Sequence, residues 1–225
     1  MAVNLRNTND VSISGVKLLV YGAAGAGKTY LIKSLPDPII LSAEAGLLSI
    51  RGTNLSYIPI SAMDDLIEAY KWITESEEAK HFQSIALDSI SEIAEVVLSA
   101  EKKVNKDPRQ AYGAMADQMG DLIRAFRDLP GKHVYFSAQV EKAQDEMGRI
   151  LYAPSMPGKQ TGRALPYYFD EVFALRMERM ADGEVQRALM TFKDDTWEGK
   201  DRSGQLSPWE EPDLGAIIRK IGGTE

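Results

Sequence analysis

The chain has 225 residues, 44% hydrophobic and 26% charged, which suits one α/β domain with a sizeable core and excludes a fibrous or wholly disordered protein. It holds no cysteine, so disulfides and thiolate chemistry are excluded; no apolar run could span a bilayer or serve as a signal segment, and the expectation is a cytoplasmic protein without membrane contact. A net charge of −7 disfavours phosphates overall, so any nucleic-acid contact must come from local basic segments.

Residues 1–14 read as a flexible polar lead-in. Residues 16–21 (VKLLVY) form a short apolar run ending at Gly22, followed by a helix-forming stretch over 28–35 that stops at Pro36. Residues 38–42 (PIILS) and 56–60 read as buried strands, and 61–75 as an amphipathic helix with Ser61 as its cap. A strand over 84–88 (SIALD) precedes a helix over 91–104, which Asp107-Pro108 interrupts. A helix over 115–129 is stopped by Pro130-Gly131, and 133–139 (HVYFSAQ) is the next strand. This βα alternation predicts a mostly parallel sheet flanked by helices. Residues 140–166, rich in proline and glycine, read as a long loop or weak hairpin. Strands over 171–178 and 185–193, joined around Asp182-Gly183, predict an antiparallel hairpin at the sheet edge. Residues 194–225 form a C-terminal extension in which Asp213 caps a last short helix.

Residues 22–29 (GAAGAGKT) satisfy G-x-x-x-x-G-K-[ST] between a predicted strand and a predicted helix, the setting of a P-loop. Gly22, Ala23, Ala24, Gly25, Ala26 and Gly27 are all small, which lets backbone N–H groups close around a β-phosphate. Lys28 would reach the β- and γ-oxygens and Thr29 would ligate Mg²⁺. Tyr30 follows in the first helical turn, whose N-terminus adds partial positive charge. ATP is the expected nucleotide, since no guanine-reading N-K-x-D run is present. Asp88, at the end of its strand, fits two roles: metal ligand through water, or cap of the next helix. The P-loop favours the first. Glu44 lies beyond the C-terminal end of its strand, where ligands of open α/β sheets gather; it would orient a water or stand as a solvated loop glutamate.

Taken in order, GAAGAGKT, LSAEAG, SIALDS and VYFSAQ resemble the core of the RecA-type recombinases. The resemblance implies a RecA-like P-loop NTPase core with the water-activating glutamate at Glu44. It also implies that Gln139 senses the γ-phosphate and relays its state to a DNA-binding loop. Ser89 stands where many AAA-type ATPases carry their catalytic glutamate, which puts the base elsewhere. Small phage nucleotide-binding proteins with this core, some of them single-strand-annealing recombinases, are similar through PSMPGK at 154–159, YYFDEV at 167–172 and KDRSG at 200–204. The last run also resembles the K-x-R-x-G segment of RecA-like hexameric helicases, which implies that Lys200 and Arg202 reach a neighbouring subunit's γ-phosphate. Cations two apart on an extended segment point the same way; the alternative is a solvated charged turn.

Two basic segments are candidates for single-stranded DNA. Lys102, Lys103, Lys106 and Arg109 cluster near Tyr112, and Lys142, Arg149, Lys159 and Arg163 surround Tyr152 as a stacking ring. Cations with an aromatic suit phosphate neutralisation and base stacking, although Asp107, Glu141, Asp145 and Glu146 dilute both clusters. In RecA-type proteins the DNA loops occupy these two places. The expected partners are single-stranded DNA, further copies of the chain in a ring or filament with nucleotide between subunits, and a single-strand-binding protein. The rival readings are a motor or packaging ATPase, a nucleotide switch, and a small-molecule kinase, for which an arginine-rich lid is lacking. His81 and His133 read as structural.

Overall fold

The computed structural model describes residues 15–44, 46–144, 147–179 and 183–223, with residues 159 and 160 in backbone only. In chain order the elements are β1 (Lys17–Gly22), α1 (Lys28–Leu31), β2 (Pro38–Ser42), β3 (Ser56–Pro59), α2 (Met63–Glu75), β4 (Ser84–Asp88), α3 (Ile90–Val104) and α4 (Pro108–Arg127). There follow β5 (His133–Gln144), β6 (Ile150–Ser155), α5 (Lys159–Tyr168), β7 (Glu171–Arg179), β8 (Val185–Met190), β9 (Lys200–Asp201), β10 (Trp209–Glu210) and α6 (Leu214–Gly222). Among the described residues no helix is long and apolar enough to cross a membrane.

β1 is buried along its whole length because it is central: β5 pairs with it on one side and β7 on the other, both parallel. The sheet order is β10-β8-β7-β1-β5-β4-β2-β3. From β7 to β3 the strands are parallel, while β8 on β7, β10 on β8 and β6 on β5 are antiparallel. The chain is therefore a mostly parallel α/β sheet with an antiparallel C-terminal edge. Alternation along each strand supplies two cores. Leu19, Tyr21, Leu41, Leu87 and Phe136 face α2 to α5, while Leu18, Val20, Ile40, Tyr135 and Phe173 face α1 and α6. Each such side chain, nearly or wholly shielded from water, contributes about 1.5–3 kcal/mol.

Several elements depart from the expectations. Helix α2 begins at Met63 without a Ser61 cap; instead Asp65 turns back to accept from the N–H groups of Ser61 and Ala62. Asp107 caps α4, with Pro108 in the first turn, so this proline starts a helix two turns earlier than expected. β5 runs five residues past Gln139 into a hairpin with β6, and α5 fills what was expected to be loop. β7 and β8 form the expected antiparallel pair, and the expected turn residue Asp182 lies outside the described residues, as do residues 1–14. Asp213 caps α6 as expected, accepting from the Ala216 N–H. His133 is structural: its Nδ1 accepts from the Val16 N–H at 3.1 Å.

At the base of β7, Glu171 is only 1% exposed. Its Oε1 accepts from the Ser203 N–H at 3.2 Å, while no donor faces Oε2. Burial, reinforced by the carboxylate of Asp201, pushes the Glu171 carboxyl up to about 8. A proton on Glu171, shared with Asp201, removes both the repulsion and the orphaned oxygen. Because the folded state holds this proton more tightly than the unfolded chain, its stabilisation is complete below the ordinary value of 4.5 and fades as pH rises through about 8. Glu171→Gln, neutral at every pH, should raise stability at pH 9 by about 1–2 kcal/mol, or roughly 2–8 °C in Tm. Equal melting temperatures at that pH would show that the fold accommodates the Glu171 carboxylate without penalty.

Candidate functional site

The register gathers the candidate residues at one sheet edge. Gly22 pairs with Gln139 and Ser42 with Asp88, so the P-loop, the turn bearing Glu44, Asp88 and Gln139 all leave the C-terminal ends of parallel strands. They surround a cleft of about 940 Å³ lined by Gly22, Ala23, Ala24, Gly25, Gly27, Lys28, Thr29, Tyr30, Glu44, Gln139 and Arg187, among others.

The loop's small residues have different reasons. A Cβ on Gly22 would stand 2.8 Å from the Leu175 carbonyl, so β7 requires that glycine. Gly25 (φ +76) and Gly27 (φ +106) adopt left-handed backbone. Ala26 is buried beneath the loop in the core facing α1, whereas Ala23 and Ala24 are exposed to the cleft. Helix α1 is one turn running into a 3₁₀ turn at Ile32–Ser34, shorter than the eight residues expected. The attraction for an anion is thus local, from free N–H groups of one turn, and not from an extended helix dipole.

The Lys28 ammonium donates to the Gly22 and Ala23 carbonyls at 2.9 and 3.1 Å. Burial lowers its pKa, with Glu44 and Asp88 pulling the other way. Thr29 Oγ1 donates to Asp88 Oδ2 at 2.7 Å, and Ser137 donates to Asp88 Oδ1. Burial raises the Asp88 pKa against those two hydrogen bonds. The hydroxyl of Tyr135 donates to the Lys28 carbonyl at 2.9 Å, tying β5 to α1.

Asp88 is not the cap of α3. That role belongs to Ser89, whose Oγ accepts from the Glu92 N–H at 3.3 Å and donates to Glu44 Oε1 at 2.6 Å. The residue that stands in place of a catalytic glutamate thus fastens a different glutamate, carried by the neighbouring strand's turn. Gln139 is exposed, and its N–H donates to Ser91 Oγ, which in turn donates to the Ser155 carbonyl. The cleft therefore meets the β5–β6 hairpin at this residue.

Lys200 and Arg202 are not near the P-loop of their own chain. β9 pairs with the start of β7, at the opposite end of the strands from Gly22. Lys200 donates to the Pro166 and Phe169 carbonyls at the end of α5, and Arg202 pairs with Asp170. The two cations thus reach different acceptors, and within one chain they close the base of β7 and add nothing to the phosphate cradle.

Of the basic segments, Lys102 and Lys103 lie exposed in the last turn of α3, Lys106 between helices and Arg109 in the first turn of α4. The Lys102 ammonium sits 5.4 Å from the Tyr112 ring centroid. Lys142 and Arg149 are exposed on the hairpin and Arg163 on α5; the Lys159 side chain lies outside what is described. Tyr152 is not an open stacking ring. It stacks on Trp197, with centroids 4.3 Å apart and planes at 16°, and Arg176 lies 4.8 Å from the other ring. The two segments nevertheless adjoin, since a Cβ on Gly158 would lie 3.6 Å from Tyr112 Cδ1.

Of the cleft residues that the sequence did not point to, Glu92 and Arg187 are the charged ones. Glu92 lines the wall from the first turn of α3. Arg187 arrives from β8, where it shares a face with Leu189; VQRALM at 185–190 carries no alternating pattern, so its place follows only from the register to β7 and the place of β7 beside β1.

A family model described as AAA domain matches residues 14–203, which takes in β1 through β9 and leaves β10 and α6 outside. No curated protein matches the chain.

Proposed function

The chain belongs to the AAA-domain family, and from that premise we propose that it is a Mg²⁺-dependent ATPase acting on single-stranded DNA in recombination or strand annealing. The nucleotide half rests on one observation above others: Lys28 stands inside the GAAGAGKT loop while Thr29 and Asp88 touch at 2.7 Å beside it. In this reading the loop N–H groups and Lys28 take the β- and γ-phosphates. Thr29 and, through water, Asp88 would hold Mg²⁺, an ion that suits hard oxygen donors and retains several waters rather than demanding an all-protein cage. When bound, Mg²⁺ supplies positive charge to the phosphate oxygens as charge redistributes in the reaction. Glu44, held at Oε1 by Ser89, accepts the proton of the attacking water, and Gln139 registers the γ-phosphate at the root of the hairpin.

The DNA half is supported by the closeness of Gly158 to Tyr112, which sets the two basic segments side by side although these residues stand 46 positions apart in the chain. The chain is proposed to assemble with further copies on the strand. Replacing Lys102, Lys103 and Lys106 together by alanine should weaken binding of a labelled single strand at least about 10-fold at 0.1 M salt. It should also flatten the salt dependence by roughly 0.7 in log–log slope for each phosphate that is no longer neutralised. Fluorescence anisotropy across a salt series reads both, and unchanged affinity would remove this surface from the function. Gel filtration with ATP and an oligonucleotide should give species larger than a monomer, with slow turnover; rapid DNA-stimulated turnover would favour a motor of the same core.

A further inference from the structure

The P-loop has two unlike flanks. On the side of β5, β4 and β2 stand Gln139, Asp88 and Glu44; on the other side, across β1, β8 brings Arg187 over the loop. Its guanidinium lies 3.2 Å from the point where a Cβ on Gly27 would stand, so the glycine admits the arginine as well as turning the chain. The same guanidinium is 5.9 Å from the Tyr30 ring centroid, and the Lys33 ammonium is 3.4 Å from that centroid. Among the described residues no carboxylate forms an ion pair with Arg187.

We propose that Arg187 is the cis-acting arginine that binds the α-phosphate of the nucleotide and fixes the end of the cleft from which the nucleoside emerges. The inference rests on the nucleotide-binding reading above. A polyphosphate lying along the loop has its γ end at the Thr29–Asp88–Glu44 flank, where the metal ligands and the water-activating carboxylate stand. Its α-phosphate then falls at the opposite flank, beside Gly27 and Tyr30, where Arg187 is the cation on the cleft wall. A guanidinium offers a planar fork of donors to a phosphate, which a lysine ammonium cannot reproduce. Arg187 is exposed, so its truncation leaves both cores intact.

The test is equilibrium binding of Mg·ATP and Mg·ADP by calorimetry to wild type, Arg187→Ala and Arg187→Lys, with the melting temperature of each as a control of folding. The expected result is that Arg187→Ala weakens ATP and ADP by the same factor, about 10- to 100-fold, and that Arg187→Lys recovers only part of it. Loss confined to ATP would move Arg187 to the γ-phosphate and overturn the assignment. Unchanged affinity for both nucleotides would also overturn it, while leaving the proposed function standing. Wild-type protein that binds neither nucleotide would overturn the proposed function itself and this assignment with it.

Discussion

Lys28→Ala is expected to weaken ATP binding by about 10²–10³-fold, the cost of removing two charge-assisted hydrogen bonds to phosphate at roughly 1.5–3 kcal/mol each, offset in part by water. The effect should be large because the ammonium sits partly buried within the loop, beside Glu44 and Asp88, rather than on an open surface. Once it is removed, the two carboxylates face the incoming phosphates uncompensated. The fold should survive, since the Lys28 ammonium donates only to carbonyls of its own loop and the backbone carbonyl that accepts from Tyr135 is kept. Calorimetry with Mg·ATP measures the change, and a loss of less than about threefold would mean that the phosphates do not lie where the loop suggests.

Glu44→Gln should separate binding from turnover. The amide keeps the shape of the side chain and an oxygen to accept the Ser89 hydroxyl, now 2.6 Å from Oε1, so nucleotide affinity should stay within about threefold. With Glu44 proposed as the base, its loss should lower kcat about 10²–10⁴-fold. A steady-state phosphate-release assay in the presence of single-stranded DNA reads both quantities. Normal turnover would pass the role to another carboxylate of the wall, of which Glu92 is the first to replace.

How much of the fold and the site was legible in the chain depended on the range of the interactions. β2 and β4 have the same bounds in the structure as in the chain, because a strand buried on both faces is written as a continuous apolar run. The P-loop was legible for the same local reason: Gly25 and Gly27 are set by their own dihedrals. Helix α5 was not, since KQTGRALPYY contains a glycine and an internal proline, and its place is secured by Lys200 from 30 residues or so further on. The stack of Tyr152 on Trp197 and the descent of Arg187 onto Gly27 depend on which strands are neighbours. No local pattern encodes that β5 separates β1 from β4 while β7 takes the other flank. The pair Lys200 and Arg202 shows the converse: the chain leads one to expect both on one extended segment, yet only Lys200 lies in β9, Arg202 falls in the bend after it, and each reaches a different acceptor.

The bond that joins Gln139 to Gly22 in the sheet also makes it the root of a projecting arm. From Gln139 to Gln144 the strand QVEKAQ contains neither glycine nor proline, and β6 is hydrogen-bonded alongside it from Ser155 to Ile150. The ribbon is not free along its length: Tyr152, opposite Lys142 in β6, is hydrogen-bonded through its backbone to Thr196 and Glu198 and stacks on Trp197, so only the tip beyond it, about 7 Å at roughly 3.4 Å per residue, stands clear as two strands. A displacement imposed at the rim of the cleft is therefore passed through Tyr152 to Trp197, and to Arg176 beside that ring, before it reaches the tip of the hairpin.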